Sequence, residues 1–216
     1  MILLVAATTM EATPLANLCQ GHDLLVAGVG VLETTLHLTR RLAVDPGRYS
    51  LVVNFGVAGA YPASGTKLLE ICLADREVLA DLGICRGEEV DPLNVSLTGP
   101  LFFPLNDHVT VQAGNILNQH NFANRIGTFI TVSAVSATRR RGDWLCRTHH
   151  ALCENMEGAA VARVCQEFGL PCIEVRCISN MVEDRDAAAW QLAPAIHRCA
   201  EAVTLLVNEL SAAMPV

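Results

Sequence analysis

Positive charge is scarce in this sequence. Its 216 residues carry 15 Lys and Arg against 22 Asp and Glu, for a formal net charge of -7, which argues against a chain whose main task is to hold a nucleic-acid backbone. Long apolar runs are missing too. No stretch approaches the roughly 18 residues that a membrane span needs. The apolar start, residues 1–7, has no preceding positive residue and is soon followed by Glu11 and Pro14, so it reads as a buried first strand rather than a signal segment. Paired cysteine motifs are absent. The nine cysteines (Cys19, Cys72, Cys85, Cys146, Cys153, Cys165, Cys172, Cys177 and Cys199) are odd in number and form no C-x-x-C. They read as reduced thiols serving as small core residues in a cytoplasmic protein. Internal repeats and low-complexity linkers are lacking as well, so one domain spanning residues 1–216 is expected.

What is present is apolar and aliphatic: 51% hydrophobic residues with only 5% aromatics, the composition of an α/β core built from Val, Leu, Ile and Ala. Runs of strand length recur at residues 2–7, 24–27, 51–55, 68–73, 129–135 and 172–178. Helical patterns lie between several of them, at 32–42, 158–168 and 194–210. Strands alternating with helices predict a three-layer α/β/α sandwich around a mixed central sheet. Ligands of such sheets bind beyond the carboxyl ends of the strands. Residues 88–108, with Pro92, Gly99, Pro100 and Pro104, predict an extended loop that could form part of a substrate mouth.

Three segments carry chemistry-bearing residues at strand ends: Asn54-Phe55-Gly56-Val57-Ala58-Gly59, Asn155-Met156-Glu157-Gly158-Ala159-Ala160 and Val175-Arg176-Cys177-Ile178-Ser179-Asn180. With Glu11 in Thr8-Thr9-Met10-Glu11-Ala12, they resemble the purine nucleoside phosphorylase and nucleosidase family over nearly the whole chain. That family breaks the bond between a purine base and C1′ of a ribose. The resemblance implies that Met156 and Glu157 hold the ribose, where a carboxylate can accept from both hydroxyls and favour positive charge at C1′. It also implies that Glu11 aligns and deprotonates a water with the help of Arg176. Asn180, oriented by Ser179, would meet the base. Asn offers an NH₂ donor that suits a 6-oxo group and N7, so hypoxanthine or guanine is expected to leave rather than adenine. Val57, Ala58, Val135 and Ser136 are expected around the base pocket, the last two by loose alignment only.

Each of these residues also has an ordinary reading. Glu157 and Glu11 could be first-turn helix carboxylates, Asn180 a turn residue and Arg176 an ion-pair partner. On acceptor choice, no Lys or Arg precedes Arg40, and Val57 stands where the family's bacterial phosphorylases carry a phosphate-binding Ser. Water is therefore the expected acceptor. The family's nucleosidases often carry that Ser as well, so Val57 removes a usual contact to the water. Within the family the segments look most like a hydrolase branch whose inosine-like substrate bears a carboxylated aromatic chain at C5′. Three alternatives stay open: an adenine-releasing nucleosidase, a phosphorylase, and a binding protein that has lost the chemistry.

A small-molecule nucleoside partner, a symmetric homo-oligomer and no cofactor or metal are expected. Gly28-Val29-Gly30 lacks the full dinucleotide fingerprint. Cys146, His149, His150 and Cys153 match no standard zinc spacing. Arg139-Arg140-Arg141 reads as a solvated helix face, with contact to an anionic substrate tail as the sharper alternative.

Overall fold

The computed structural model describes residues 1–16, 21–105 and 107–213; Cys19 lies outside them. In chain order the main elements are β1 (Ile2–Ala6), α1 (Thr9–Ala12), β2 (Asp23–Val26), α2 (Val31–Val44), β3 (Leu51–Ala60), β4 (Ile71–Leu79), β5 (Gly83–Arg86), β6 (Glu89–Pro92), α3 (Val95–Thr98), β7 (Phe102–Pro104), α4 (Asp107–Gln119), β8 (Asn124–Thr131), α5 (Arg139–His149), β9 (Ala151–Asn155), α6 (Gly158–Glu167), β10 (Cys172–Met181) and α7 (Leu192–Ala213). The sheet is mixed. β2, β1, β3 and β10 run parallel in that order; β4 lies antiparallel to β10, β8 and β9 continue parallel from β4, and β9 returns antiparallel to β3. Five strands therefore close on themselves, β3–β10–β4–β8–β9–β3, with β1 and β2 extending from β3. The expected α/β/α layering with a mixed sheet is found, and this closure is an addition to it.

Alternation along β10 explains how one strand serves two layers. Ile173, Val175 and Cys177 enter the core formed with α7 and α4, whereas Cys172 and Ile178 enter the core formed with α2 and α6. Glu174 and Arg176 share that second face and are buried at 2% exposure each. On α7, Ala195, Cys199, Ala202, Val203, Leu206 and Leu210 recur at helical spacing against the first core. Each fully buried Val or Leu contributes about 1.5–3 kcal/mol through apolar burial. Among the described residues no helix is long and apolar enough to cross a membrane, and the eight described cysteines are free thiols, all buried except Cys85.

Three expectations need correction. The strand expected at 68–73 is β4, which begins at Ile71 and runs on through Asp75, Arg76 and Glu77 to Leu79. The strand expected at 129–135 is β8, which starts at Asn124 and stops at Thr131. Residues 88–108 are not an extended loop. They hold the second strand of the β5–β6 hairpin, the short helix α3, β7 on the edge of β4, and the start of α4.

Candidate active site

A cleft of about 170 Å³ opens where β1, β3 and β10 end and α6 begins. It is lined by Glu11, Val57, Ala58, Val135, Met156, Glu157, Arg176, Ser179 and Asn180, together with Val29, Glu154, Asn155, Trp190 and others. All but one of the residues expected at the water, ribose and base positions thus meet in one place. The exception is Ser136, whose N–H and hydroxyl both donate to Glu154, each at 2.7 Å. A larger hollow of about 430 Å³ between Pro104 and Pro171 has no charged side chain in its lining, so the smaller cleft is the one equipped for chemistry. No residue of 88–108 lines that cleft, nor do Arg139, Arg140 or Arg141; Arg139 instead faces Asp143 and Glu183, and Arg141 faces Asp81.

Glu11 both caps a helix and lines the cleft. It is the third residue of α1 and closes a capping box with Thr8: its Oε2 accepts from the Thr8 N–H at 3.1 Å and the Thr8 hydroxyl at 2.7 Å. Two otherwise unpaired groups at the helix start are thereby satisfied. Its Oε1 turns the other way and accepts from the backbone N–H of Val57 at 3.1 Å. Residue 57 therefore contributes its main chain where a Ser would add a hydroxyl. A Cβ at Gly56 would collide with Glu11 Oε1 and press on Arg176 Nη1, so glycine at this position is what lets carboxylate and guanidinium approach across β3.

Glu157 sits at the start of α6, 6% exposed. Its Oε1 accepts from the N–H of Gly30, at the start of α2, at 3.1 Å, and its Oε2 lies 3.4 Å from Arg176 Nη2. Burial raises its pKa, while Arg176 and the Gly30 N–H pull it back down and the charges of Glu11 and Glu174 push it up further. Arg176 is wholly buried. Burial alone would discharge it, yet Glu174, Glu157 and Glu11 outweigh that and hold the guanidinium charged. Its Nε donates to Glu174 at 2.9 Å and its Nη1 to the Val57 carbonyl at 3.4 Å. Among the described residues lining the cleft, it is the one cation.

Asn180 is not a turn residue. It lies within β10, where the register against β3 passes from Ile178–Ala58 to Asn180–Gly59 and leaves Ser179 as the extra residue of a bulge. Bulges re-aim side chains. Here the Ser179 hydroxyl lies 2.9 Å from Asn180 Oδ1, so the amide oxygen is engaged and the NH₂ is turned to its other surroundings, its protein contact being a 3.4 Å bond to the Met181 carbonyl. Beside it, Glu154 accepts from Ser136 twice and from the Tyr61 hydroxyl at 3.0 Å. Burial raises the Glu154 pKa, and these donors restrain the rise.

Several residues of the site went unread in the sequence. In the sequence Gly30 reads only as part of a short glycine turn. Asn155 has Oδ1 accepting from the N–H groups of Glu157 at 2.9 Å and Gly158 at 2.7 Å; it caps α6 from two residues before Glu157, and its place directly before Met-Glu was the available signal. Glu154 and Glu174 gave none, because single carboxylates on strands read as solvent-facing.

Similarity to known proteins agrees with this geometry. The sequence profile of the Phosphorylase superfamily matches residues 24–212. A futalosine hydrolase of Thermus thermophilus is 33% identical, across 97% of this chain and 96% of that one. A futalosine hydrolase of Streptomyces coelicolor is 32% identical, across 93% and 85%. The native structure of a futalosine hydrolase from Helicobacter pylori superposes with a TM-score of 0.82 over 96% of this chain and 97% of that one; at 20% identity this likeness speaks to the fold alone. Since the profile spans most of the sequence and the identity to full-length relatives runs nearly end to end, this chain belongs to the Phosphorylase superfamily.

Proposed function

We propose that this chain hydrolyses the N-glycosidic bond of futalosine, releasing hypoxanthine and dehypoxanthine futalosine, on a futalosine route to menaquinone. The observation that carries the reading is Asn180, whose oxygen is engaged by Ser179 and whose NH₂ is therefore the group offered to a 6-oxopurine. The names of the 32–33% identical relatives support the same substrate.

The C1′–N9 bond breaks with its electron pair going to the base, and Asn180 donates to hypoxanthine as negative charge builds there. Glu157 accepts from the ribose hydroxyls, with Met156 against the sugar, and its charge favours the cation at C1′. A water held by Glu11 and Arg176 adds to C1′ and passes its proton to Glu11; the departing base anion takes up one proton from solvent and Glu11 returns its own, so that neutral hypoxanthine is released and the carboxylate is restored. Val57, Ala58 and Val135 complete the apolar wall. Ser136 acts at one remove, through Glu154. The charge balance supports hydrolysis over phosphorolysis: Arg176 is already engaged by Glu174 and Glu157, and among the described residues the cleft has no second cation for a phosphate dianion.

The buried free thiols favour a reducing, cytoplasmic setting, and we take the chain to act as one domain. Exposed apolar side chains on α2, Leu32 at 80% and Leu36 at 58%, favour a homo-oligomer. The test is base release from futalosine, inosine, aminodeoxyfutalosine and methylthioadenosine, with and without phosphate. Hypoxanthine from futalosine without phosphate is expected. Adenine release or a phosphate requirement would overturn the assignment, and ligand binding without turnover would make the chain a sensor.

A further inference from the structure

Behind the cleft, Glu77 of β4 and Glu174 of β10 bring carboxyl oxygens to the same spot, where a Cβ on Gly158 would lie 2.1 Å from Glu77 Oε1 and 2.4 Å from Glu174 Oε2, and the reaction described above uses neither. We propose that these two carboxyl groups hold a single proton between them and act together as the positioning unit that aims Arg176 and Glu157 at the substrate. The proposal rests on the nucleosidase reading of those two residues.

Glu77 is 0% exposed and Glu174 2%. An ionised carboxylate only accepts hydrogen bonds, so two carboxyl groups that approach this closely can bond to each other only with a proton on one of them. Two adjacent buried charges of the same sign are also strongly unfavourable. Each remaining contact brings a donor to the pair. Glu77 accepts from Asn155 Nδ2 at 2.5 Å and from the Thr131 hydroxyl at 2.8 Å, while Glu174 Oε1 accepts from Arg176 Nε at 2.9 Å. Glu174 Oε2 is left to face Glu77 Oε1. A Cβ on Gly158 would strike both of these oxygens, which places them together under the first turn of α6.

The pair reaches the cleft by two arms. Through Glu174 it holds the guanidinium, whose Nη2 meets Glu157 Oε2 at 3.4 Å and Asn155 Oδ1 at 3.5 Å. Through Glu77 it engages Asn155 Nδ2 and so directs Asn155 Oδ1 onto the N–H groups of Glu157 and Gly158. The other titratable groups facing the pair are Glu157 and the thiols of Cys153 and Cys172. Burial pushes the Cys153 thiol well up, and a hydrogen bond with Cys165 together with burial does the same for Cys172, so both are neutral. With one proton present the pair carries a single negative charge beside Arg176. Without it, two carboxylates would compete with Glu157 for one guanidinium.

Glu174→Gln supplies the test, because its amide oxygen can accept from Arg176 Nε and its NH₂ can donate to Glu77 with no proton needed and no change in net charge. Three proteins are compared: wild type, Glu174→Gln and Glu174→Leu. Infrared spectra of the unliganded proteins are expected to show a buried carboxylic-acid C=O band in the wild type that Glu174→Gln lacks. In turnover of futalosine, Glu174→Gln is expected to keep kcat within about threefold, since its hydrogen bonds are retained, whereas Glu174→Leu loses roughly 10- to 100-fold with KM moved less. An identical acid band in wild type and Glu174→Gln, or a Gln variant as impaired as the Leu variant, would overturn the proposal. If no nucleoside is turned over by the wild type, the functional assignment fails on its own, while the infrared comparison still decides whether the pair holds a proton.

Discussion

Asn180 and its neighbour Ser179 set the chemistry that one side chain can offer the leaving base. Replacing Asn180 with Asp keeps the size and removes the NH₂ donor, leaving a group that accepts from a 6-amino substituent or shares a proton with N7. Asn180→Asp is expected to lower kcat/KM for hypoxanthine release by roughly 10- to 100-fold and to raise adenine release from aminodeoxyfutalosine. Chromatography of the freed bases checks both, and an unchanged preference would place base selection elsewhere in the cleft. At this scale, residues within recognisable strings were legible. Glu11, Glu157, Arg176 and Asn180 all reach the cleft. Residues whose role depends on a partner far away in the sequence were not. Glu77 touches Asn155 across 78 positions, and no local pattern announces such a bond.

The start of α6 depends on two departures from ordinary helix chemistry. Its cap is supplied by Asn155 and by the Thr131 hydroxyl, which accepts from the Ala159 N–H at 2.7 Å, and its first residue is glycine because a carboxyl pair lies directly beneath. Adding a methyl group there forces overpacking against side chains that have no room to retreat. Gly158→Ala is therefore expected to destabilise the fold by about 1–3 kcal/mol, read from urea unfolding midpoints, and to lower kcat as Glu157 shifts. A full-strength, fully active Gly158→Ala would mean that the pair can move aside. The helices α2, α6 and α7 were readable from periodicity, because their apolar residues recur at helical spacing on the faces that meet the sheet. The far half of β4 was hidden because Asp75-Arg76-Glu77 looks like solvent-exposed polarity, although Glu77 is among the most buried side chains of the chain.

Across the whole molecule the buried thiols give a stability signature. Burial pushes Cys72, Cys177 and Cys199 up to about 12 from an ordinary value of 9.0. Between those values the folded chain keeps protons that the unfolded chain releases, so unfolding becomes more favourable as pH rises. The contribution is fully present below pH 9.0 and is lost progressively towards pH 12. Urea unfolding at stepwise pH is expected to show this fall, and replacing the three cysteines with Ala or Ser should make it shallower. The layered architecture could be read from alternating strands and helices, but the closure of five strands could not. It depends on β9 and on long-range pairings such as Gly59 with Glu154, and β9 is too short to stand out from the helix that precedes it. That closure ladders β10 on both flanks from Val175 to Cys177, to β3 and to β4, so the backbone beneath Arg176, which leads into the bulge, has no free edge along which to slide. A lineage built on this frame would change its leaving group by exchanging a side chain at the bulge, with the main chain staying where it is.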